Sequence, residues 1–207
     1  MPGIIFRYFP DLTDIQKDKL KYLKLLYDDW NKKINVISRK DMENFYIHHV
    51  LHSLSIARVI SFLPSTRILD VGTGGGFPGI PLAIMFPDSE FILLDSVAKK
   101  IKMVTSVSET LDLKNVLPVI KRAEDEKGKY DFVVSRAVTD FISFVKVTAK
   151  NIRSENRNAL QNGIFYLKGG DLSAELTIFS GKIKIWNIKE FFKEPFFETK
   201  KIVYLPK

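Results

Sequence analysis

The chain has 207 residues, of which 45% are hydrophobic, and its formal net charge is +8. This length is sufficient for one sizeable core with a small appended subdomain. The absence of cysteine excludes disulfides and thiolate metal sites. The first residues lack the pattern of a signal peptide, and no apolar stretch approaches the roughly 18 residues of a membrane span, so we expect a cytoplasmic protein. The positive charge favours a polyanionic partner, although lysine-rich surfaces also serve solubility.

The N-terminal part of the chain is predicted to be helical. Residues 12–31 place apolar side chains near one helical face, and Thr13 and Gln16 can form a capping box at the start. The segment 31–40 contains four basic residues and no acidic one, which predicts a loop or short turn between two helices.

A second helix is predicted to begin at Asp41, as its cap, and to extend to about residue 62. It carries His48, His49 and His52. His48 and His52 are four positions apart, a spacing that can hold a metal ion, but the sequence offers no third ligand nearby. Packing or surface histidines are therefore favoured, and we expect no metal site.

A glycine-rich loop lies at the centre of the sequence pattern. Residues 68–71 form an apolar run that contains Asp70 and ends in Gly72, and Gly74, Gly75 and Gly76 follow. This pattern predicts a buried parallel strand, a sharp turn that a ligand can approach closely, and then a helix.

The loop spacing indicates which ligand binds there. Phe77 occupies the position of the third glycine in the dinucleotide pattern G-x-G-x-x-G, and Pro78 and Pro81 remove two N–H donors that a pyrophosphate would use. Asp95 ends the next predicted strand, where a ribose ligand is expected. A ligand without phosphate, such as S-adenosylmethionine, fits best, with a plain structural turn and an NAD site as alternatives.

The rest of the chain alternates between predicted strands and helices. Strands are expected at 116–120, 130–134, 163–167, 182–186 and 201–205, and helices at 97–111, 141–152 and 171–179. Because Pro118 lies in the first of these strands, that strand is predicted at a sheet edge. The alternation predicts a doubly wound α/β sheet that binds its ligand at the carboxyl ends of the strands.

Several short motifs are more specific than the glycine loop. They are Trp30-Asn31-Lys32 to Asn35, His49-Val50-Leu51-His52-Ser53-Leu54, Leu69-Asp70-Val71-Gly72-Thr73-Gly74, Phe77-Pro78-Gly79-Ile80-Pro81, Leu94-Asp95-Ser96, Arg122-Ala123-Glu124, Ser135-Arg136-Ala137 and Leu167-Lys168-Gly169. In these motifs, and over nearly its whole length, the chain resembles the RsmG (GidB) family, the 16S ribosomal RNA guanine-N7 methyltransferases. It departs from the family at His52, where aspartate is frequent, and at Lys200-Lys201, where arginine is common.

The resemblance implies a Rossmann-like class I methyltransferase that uses S-adenosylmethionine. It implies a seven-stranded, mostly parallel sheet in residues 64–207, with residues 1–63 as an N-terminal helical extension packed on this domain. It also implies 16S ribosomal RNA or the small ribosomal subunit as partner, and we expect a monomer.

The resemblance also assigns roles to individual residues. Asp95 is expected to contact the ribose, Ala123 and Glu124 the adenine, and Arg136 is expected to be the catalytic residue beside the methyl donor. The full set of expected cofactor-binding residues is Asp70, Gly72, Gly74, Phe77, Asp95, Ala123, Glu124 and Arg136. The expected RNA-binding residues are Lys32, Lys33, Arg39, Lys40, Lys168 and Lys201.

The sequence lacks residues that other methyltransferases use to activate the methyl acceptor, which indicates an acceptor atom that is already nucleophilic. No cysteine is present for C5 methylation of a pyrimidine, and Ser135-Arg136-Ala137 replaces the proline-rich motif of exocyclic-amine methyltransferases. Guanine N7 has an exposed lone pair that needs no deprotonation. A small-molecule methyltransferase and a non-catalytic ribosome-associated module remain as alternatives.

Overall fold

The computed structural model describes residues 1–136 and 139–207, and all of their side chains except that of Arg39. Ala137 of the motif Ser135-Arg136-Ala137 lies outside the described residues. Within the described part of the chain, no helix has both the length and the apolar character needed to cross a membrane.

A seven-stranded sheet forms the centre of the molecule, in the order β3-β2-β1-β4-β5-β7-β6. Strands β1 to β5 pair in parallel, and β7 runs antiparallel to both β5 and β6. The predicted mostly parallel sheet is therefore confirmed. The strands are β1 (Arg67–Val71), β2 (Glu90–Asp95), β3 (Val116–Ile120), β4 (Phe132–Arg136), β5 (Gly163–Gly169), β6 (Lys184–Asn187) and β7 (Lys200–Pro206).

The strand order explains the location of the site. The chain proceeds outward from β1 through β2 to β3 and then returns to the other side of β1 with β4. In open α/β sheets a ligand crevice forms where the order reverses, at the carboxyl ends of the strands. Strand β3 lies at the edge, as Pro118 predicted, and its Leu117 is 59% exposed.

Helices cover both faces of the sheet. They are α1 (Gly3–Tyr8), α2 (Asp14–Lys33), α3 (Arg39–Glu43), α4 (His52–Leu54), α5 (Gly79–Met85), α6 (Ala98–Thr110), α7 (Phe141–Thr148) and α8 (Ser173–Leu176). Helix α2 begins with the predicted capping box of Thr13 and Gln16. Helix α1 was not predicted; the ring of Tyr8, its last residue, packs on Phe192 with a centroid distance of 4.8 Å.

The predicted loop between two helices is present but shorter than residues 31–40. It spans residues 34–38, because α2 continues through Lys32 and Lys33 and α3 begins at Arg39, so the predicted bounds were wrong. Basic side chains in the last turn of α2 interact favourably with the helix dipole. The predicted cap was also wrong: Ser38 caps α3, and its Oγ accepts a hydrogen bond from the backbone N–H of Asp41 at 3.1 Å.

The predicted second helix is interrupted rather than continuous. Helix α3 ends at a turn, a π-helical segment follows at Tyr46–Leu51, and after α4 the last turn is a 3₁₀ helix at Ser55–Arg58. A π-helical segment inside a helix is rare and occurs frequently at functional sites. In this chain it contains His48 and His49.

The N-terminal helices share a core with one face of the sheet. Leu23 and Val50 belong to the same buried cluster as Phe132 and Phe165 of β4 and β5. A second cluster on the opposite face joins the sheet to α7 and α8. The division of the chain into residues 1–63 and 64–207 stays a prediction.

Candidate active site

Asp70 anchors the glycine loop from below. Its side chain is fully buried, and its Oδ2 accepts hydrogen bonds from the Thr73 hydroxyl at 2.6 Å and the Gly79 amide at 2.8 Å. These bonds tie the end of β1 to the first turn of α5. Burial disfavours the carboxylate form and raises the pKa of Asp70 to about 7.

The loop leaves no room for side chains at two positions. Gly76 has φ 91°, and a Cβ there would lie 2.8 Å from Ile80 and 3.0 Å from the Tyr27 hydroxyl. A Cβ on Gly75 would lie 2.7 Å from Val36. Because Tyr27 and Val36 precede the sheet, the N-terminal helical region itself supports the glycine loop.

Asp95 holds the other side of the loop. Its Oδ2 accepts the Gly74 amide at 3.0 Å, and its Oδ1 accepts the Val97 amide at 2.9 Å. A carboxylate can accept about four hydrogen bonds. Asp95 is 7% exposed and faces a cleft, so its remaining acceptor positions can bind a vicinal diol such as that of a ribose.

The cleft has a volume of about 490 Å³ and lies at the carboxyl ends of β1, β2, β3 and β4. Five residues predicted to bind the cofactor line it: Gly72, Asp95, Ala123, Glu124 and Arg136. Ser96, Lys100, Lys121 and Arg122 also line it and were not predicted. Ser96, Lys121 and Arg122 directly follow the ends of β2 and β3, which is the sequence signal that could have identified them, whereas Lys100 lies in the first turn of α6.

Three other predicted cofactor residues lie behind the cleft. Asp70 is buried below the loop. Gly74 contributes its backbone N–H, which donates a hydrogen bond to Asp95. Phe77 is 3% exposed, and its ring packs against Tyr27 and His49 with centroid distances of 5.1 and 5.2 Å. These residues therefore shape the cleft from its rear wall.

Arg136 emerges from the end of β4 and is fixed by the π-helical segment. Its Nη1 donates to the carbonyl of His48 at 3.1 Å, and its Nη2 donates to Nδ1 of His49 at 3.0 Å. Its Cζ lies 5.1 Å from the centroid of the Phe77 ring, a cation–π contact. Burial lowers the pKa of Arg136 to about 10, so the guanidinium remains charged at neutral pH.

The protonation of His49 follows from this contact. Burial, together with the charge of Arg136, lowers the pKa of His49 to about 3, so the ring is neutral at neutral pH. Arg136 can only donate, so Nδ1 of His49 must be the acceptor. The ring proton is therefore on Nε2.

A second cavity lies on the other side of Arg136. It has a volume of about 230 Å³, and we name it the histidine cavity; it is lined by His48, His49, His52, Arg136, Phe196 and Lys200, together with Asp41, Leu167, Lys168 and Gly169. It contains all three histidines of the chain. The His48 ring stacks on Phe196 with a centroid distance of 4.0 Å and an interplanar angle of 16°. The sequence predicted packing roles for these histidines but gave no indication of this cavity.

The basic residues predicted to bind RNA occupy different surroundings. Lys32 and Lys40 are exposed, and Lys33 is paired with Asp29 at 2.7 Å. Lys168 forms an ion pair with Glu175 at 2.5 Å, which limits its availability for phosphate. The side chain of Arg39 lies outside the described part of the structure.

The two lysines that begin β7 point to opposite faces of the sheet. Lys201 is opposite Lys168 in the strand register, and Lys200 is opposite Gly169. Lys200 borders the histidine cavity, and the absence of a side chain at Gly169 provides the space for it. Lys200 was not among the predicted residues, since adjacent lysines cannot be assigned to faces without the register, and the role of Lys201 stays a prediction.

Known proteins show clear similarity to this chain. A family model described as rRNA small subunit methyltransferase G (GidB) matches residues 15–201. The protein named Ribosomal RNA small subunit methyltransferase G from Flavobacterium johnsoniae is 54% identical over 202 residues, covering 98% of this chain and 96% of the relative. The protein of that name from Bacteroides thetaiotaomicron is 55% identical over 201 residues, covering 97% and 98%.

The fold is also found among solved structures. The crystal structure of a SAM dependent methyltransferase from Aquifex aeolicus matches with a TM-score of 0.59 at 12% sequence identity, covering 82% of this chain and 98% of the other. At this identity the match shows the shared fold, whereas the family model and the curated relatives cover almost the entire sequence. The chain therefore belongs to the rRNA small subunit methyltransferase G family.

Proposed function

We propose that this protein transfers a methyl group from S-adenosylmethionine to N7 of a guanine in 16S ribosomal RNA. The observation that carries the proposal is the cleft at the switch point of the sheet, which is lined by Asp95, Glu124 and Arg136. Membership of the rRNA small subunit methyltransferase G family supports the RNA substrate.

The residues of the cleft fit S-adenosylmethionine. Asp95 has unused acceptor positions for the two ribose hydroxyls. The hydrogen bonds that it accepts from the backbone N–H groups of Gly74 and Val97 fix the direction of its carboxylate. Ala123 and Glu124 follow β3 and line the cleft, and their proposed role is to contact the adenine. The glycine loop lets the ligand approach the backbone at Gly72.

When bound, S-adenosylmethionine supplies an electrophilic methyl group on a positively charged sulfur. Guanine N7 attacks with its own lone pair, so the protein has to align the two partners rather than remove a proton. We name the cleft that contains Asp95 and Glu124 the cofactor cleft. Arg136 lines both the cofactor cleft and the histidine cavity, and its hydrogen bonds to the π-helical segment hold it there. Its proposed role is to orient the reactants at this junction.

The proposed RNA surface includes the exposed lysines near the end of α2 and the start of α3. Lys32 and Lys40 are exposed, which allows phosphate contacts. Such contacts would contribute affinity without sequence specificity. The monomeric state and the cytoplasmic location stay predictions.

The direct test is to map 7-methylguanosine in 16S ribosomal RNA from cells with and without the gene. We expect one modified guanine to lose its methyl group in the deletion strain and to regain it on complementation. An unchanged 7-methylguanosine map would contradict the proposed reaction. Calorimetry with the purified protein provides the independent test of S-adenosylmethionine binding.

A further inference from the structure

The histidine cavity and the cofactor cleft meet at Arg136, which lines both. The two cavities are therefore neighbours, and Arg136 forms part of the wall of each. Methyl transfer requires the acceptor to be in contact with the donor. The histidine cavity is thus placed where the acceptor of the reaction has to be.

We propose that the histidine cavity receives the acceptor base, extruded from its stack, and holds it against Phe196. The identity of the base as guanine rests on the proposed function. RNA-binding proteins commonly recognise unpaired bases by stacking them on aromatic side chains, and enzymes that modify a base extrude it into a pocket.

The stacking surface is already assembled in the free protein. Phe196 is partly exposed, and His48 covers one of its faces at a centroid distance of 4.0 Å. His48 is in turn fixed by Asp41, whose Oδ1 lies 3.0 Å from its Nδ1. One face of Phe196 is therefore covered by a histidine ring that is itself held by a carboxylate.

Lys200 covers the remaining face of Phe196, with its Nζ 4.8 Å from the ring centroid. A base that stacks on Phe196 has to displace this ammonium. The long, flexible lysine side chain allows such a movement, and the released ammonium can then pair with the phosphate of the same nucleotide. Lys200 thus occupies the base position until RNA arrives.

The polar atoms of the cavity match the acceptor edge of guanine. Nε2 of His49 and Nε2 of His52 are both buried without a hydrogen-bond partner among the described residues. Because Arg136 holds the His49 proton on Nε2, this atom is an unpaired donor. Guanine carries the acceptors O6 and N7 on the same edge. With N7 directed toward the methyl donor, O6 is the atom available to the His49 N–H, whereas adenine has an amino group at that position.

The first test compares Phe196→Ala with Phe179→Ala, a matched control on the opposite face of the sheet, where Phe179 packs on Phe141. We expect kcat/KM for methyl transfer to unmethylated small-subunit RNA to fall roughly 5- to 150-fold in Phe196→Ala, the factor that corresponds to one lost base–aromatic stack. Phe179→Ala should retain the parental value, and S-adenosylmethionine affinity should be unchanged in both. Phe196→Leu keeps the apolar packing but not the ring, and it should show the same loss.

The second comparison is Lys200→Ala against Lys184→Ala, which removes the same charge from the exposed start of β6. Only Lys200→Ala should raise KM for RNA. Equal effects of the two variants would contradict the placement of the phosphate beside the histidine cavity.

The third test does not depend on methyl transfer. The chain has three histidines, all in this cavity, so their ring Cε1–H resonances report on it directly. In protein saturated with S-adenosylhomocysteine, which keeps nucleotides out of the cofactor cleft, guanosine monophosphate should shift these resonances more than adenosine monophosphate does. The shifts should be lost in Phe196→Ala.

These outcomes separate the two proposals. Parental kcat/KM in folded Phe196→Ala and Phe196→Leu, or histidine resonances that guanosine monophosphate does not move, would overturn the base pocket even if the parent forms 7-methylguanosine. Histidine shifts in a parent protein that forms no 7-methylguanosine would instead overturn the proposed function and leave the pocket supported.

Discussion

The cofactor cleft and the histidine cavity share Arg136 but are constructed differently. The cleft is formed by residues that directly follow the ends of adjacent parallel strands, and backbone hydrogen bonds to Asp70 and Asp95 hold its loop. The histidine cavity joins the π-helical segment Tyr46–Leu51 to Phe196 and Lys200, nearly 150 residues later in the chain. Its walls are held by ring packing and side-chain contacts.

This difference has a functional consequence. Hydrogen bonds from the glycine loop to Asp70 and Asp95 fix the cofactor cleft, with Tyr27 of α2 as one additional support, which suits a constant ligand. The histidine cavity depends on the relative position of the N-terminal helices and the last strands, which suits a base that must enter and leave. Variants in the cleft should therefore change S-adenosylmethionine binding, and variants in the histidine cavity should change RNA methylation.

The largest expected effect concerns the buried carboxylate under the cofactor loop. The pKa of Asp70 is raised to about 7 in the folded protein, from 3.8 for an ordinary aspartate. Folding is therefore favoured by protonation, and the stability that Asp70 contributes is present below about pH 4 and lost as the pH rises to 7. The free energy of unfolding of Asp70→Asn, relative to that of the parent, should therefore increase by up to about 4 kcal/mol between pH 4 and 7. Each unit of pKa difference corresponds to about 1.4 kcal/mol.

The measurement is urea unfolding of both proteins across this pH range. The pKa of buried His49 is lowered to about 3, so the stability that His49 contributes to the folded protein is lost as the pH falls, the opposite direction to Asp70. This contribution cancels in the difference between parent and variant. A pH-independent difference would show that Asp70 is ionised in the folded state throughout this range.

The next largest effect should follow a change at the junction of the two regions. Arg136→Lys keeps the charge but cannot donate to both the His48 carbonyl and the His49 ring in the same planar geometry. We expect kcat/KM for RNA methylation to fall about 100-fold, the scale of a misplaced reacting group. Thermal unfolding should change much less. A lysine variant with parental turnover would rule out a positioning role for the guanidinium.

A change at Asp95 should affect the cofactor cleft alone. Asp95→Ala removes the acceptor proposed for the ribose and also the bonds to the Gly74 and Val97 amides. S-adenosylmethionine binding measured by calorimetry should weaken by about 1–3 kcal/mol. Asp95→Asn, which keeps one amide acceptor, should lose less. Unchanged affinity in a folded alanine variant would remove Asp95 from the site.

The dependence of the cleft on the N-terminal helices can be tested at Tyr27. Its hydroxyl donates to the carbonyl of Gly75 at 2.5 Å, inside the core. Tyr27→Phe leaves that carbonyl without its donor, so the free energy of unfolding should fall by about 1–3 kcal/mol. S-adenosylmethionine affinity should fall slightly, because the loop loses one support. Parental stability, measured by urea unfolding, would show that the hydroxyl contributes nothing to this contact.

The smallest effect is expected at the exposed lysines. The Lys32→Ala/Lys33→Ala protein should bind small-subunit RNA more weakly, and the slope of log affinity against log salt should decrease by about 0.7 to 0.9 for each lost phosphate contact. A matched control is Lys182→Ala/Lys184→Ala, which removes two exposed charges at the start of β6. Identical salt titrations for the two double variants would leave Lys32 and Lys33 without a specific role.

Much of the fold and of the cofactor cleft could be predicted from the sequence. The apolar runs, the glycine loop and Asp95 are close together in the chain, and the parallel strand ends bring their following residues to one edge. The cleft was therefore anticipated at Gly72, Ala123, Glu124 and Arg136. The burial of Asp70 and Phe77 behind it was not, since a motif does not reveal which side chains face a ligand.

The N-terminal region was predicted less well. Its amphipathic pattern identified α2, but Lys32 and Lys33 were assigned to a loop, and Ser38 was overlooked as the cap of α3. Periodicity assumes a regular helix, so it could not indicate the π-helical segment at Tyr46–Leu51. That segment is stabilised by contacts with distant residues such as Arg136 and Phe196.

Local sequence patterns were enough to predict a doubly wound sheet with a ligand at the carboxyl ends of its strands, because the hydrophobic runs and turn residues involved lie within about 30 positions of one another. Only tertiary packing brings His48, Phe196 and Lys200 together around Arg136. It also decided that Lys200 rather than Lys201 faces that cavity. Contacts between such distant positions depend on strand register and on the packing of helices against the sheet, which no local pattern encodes.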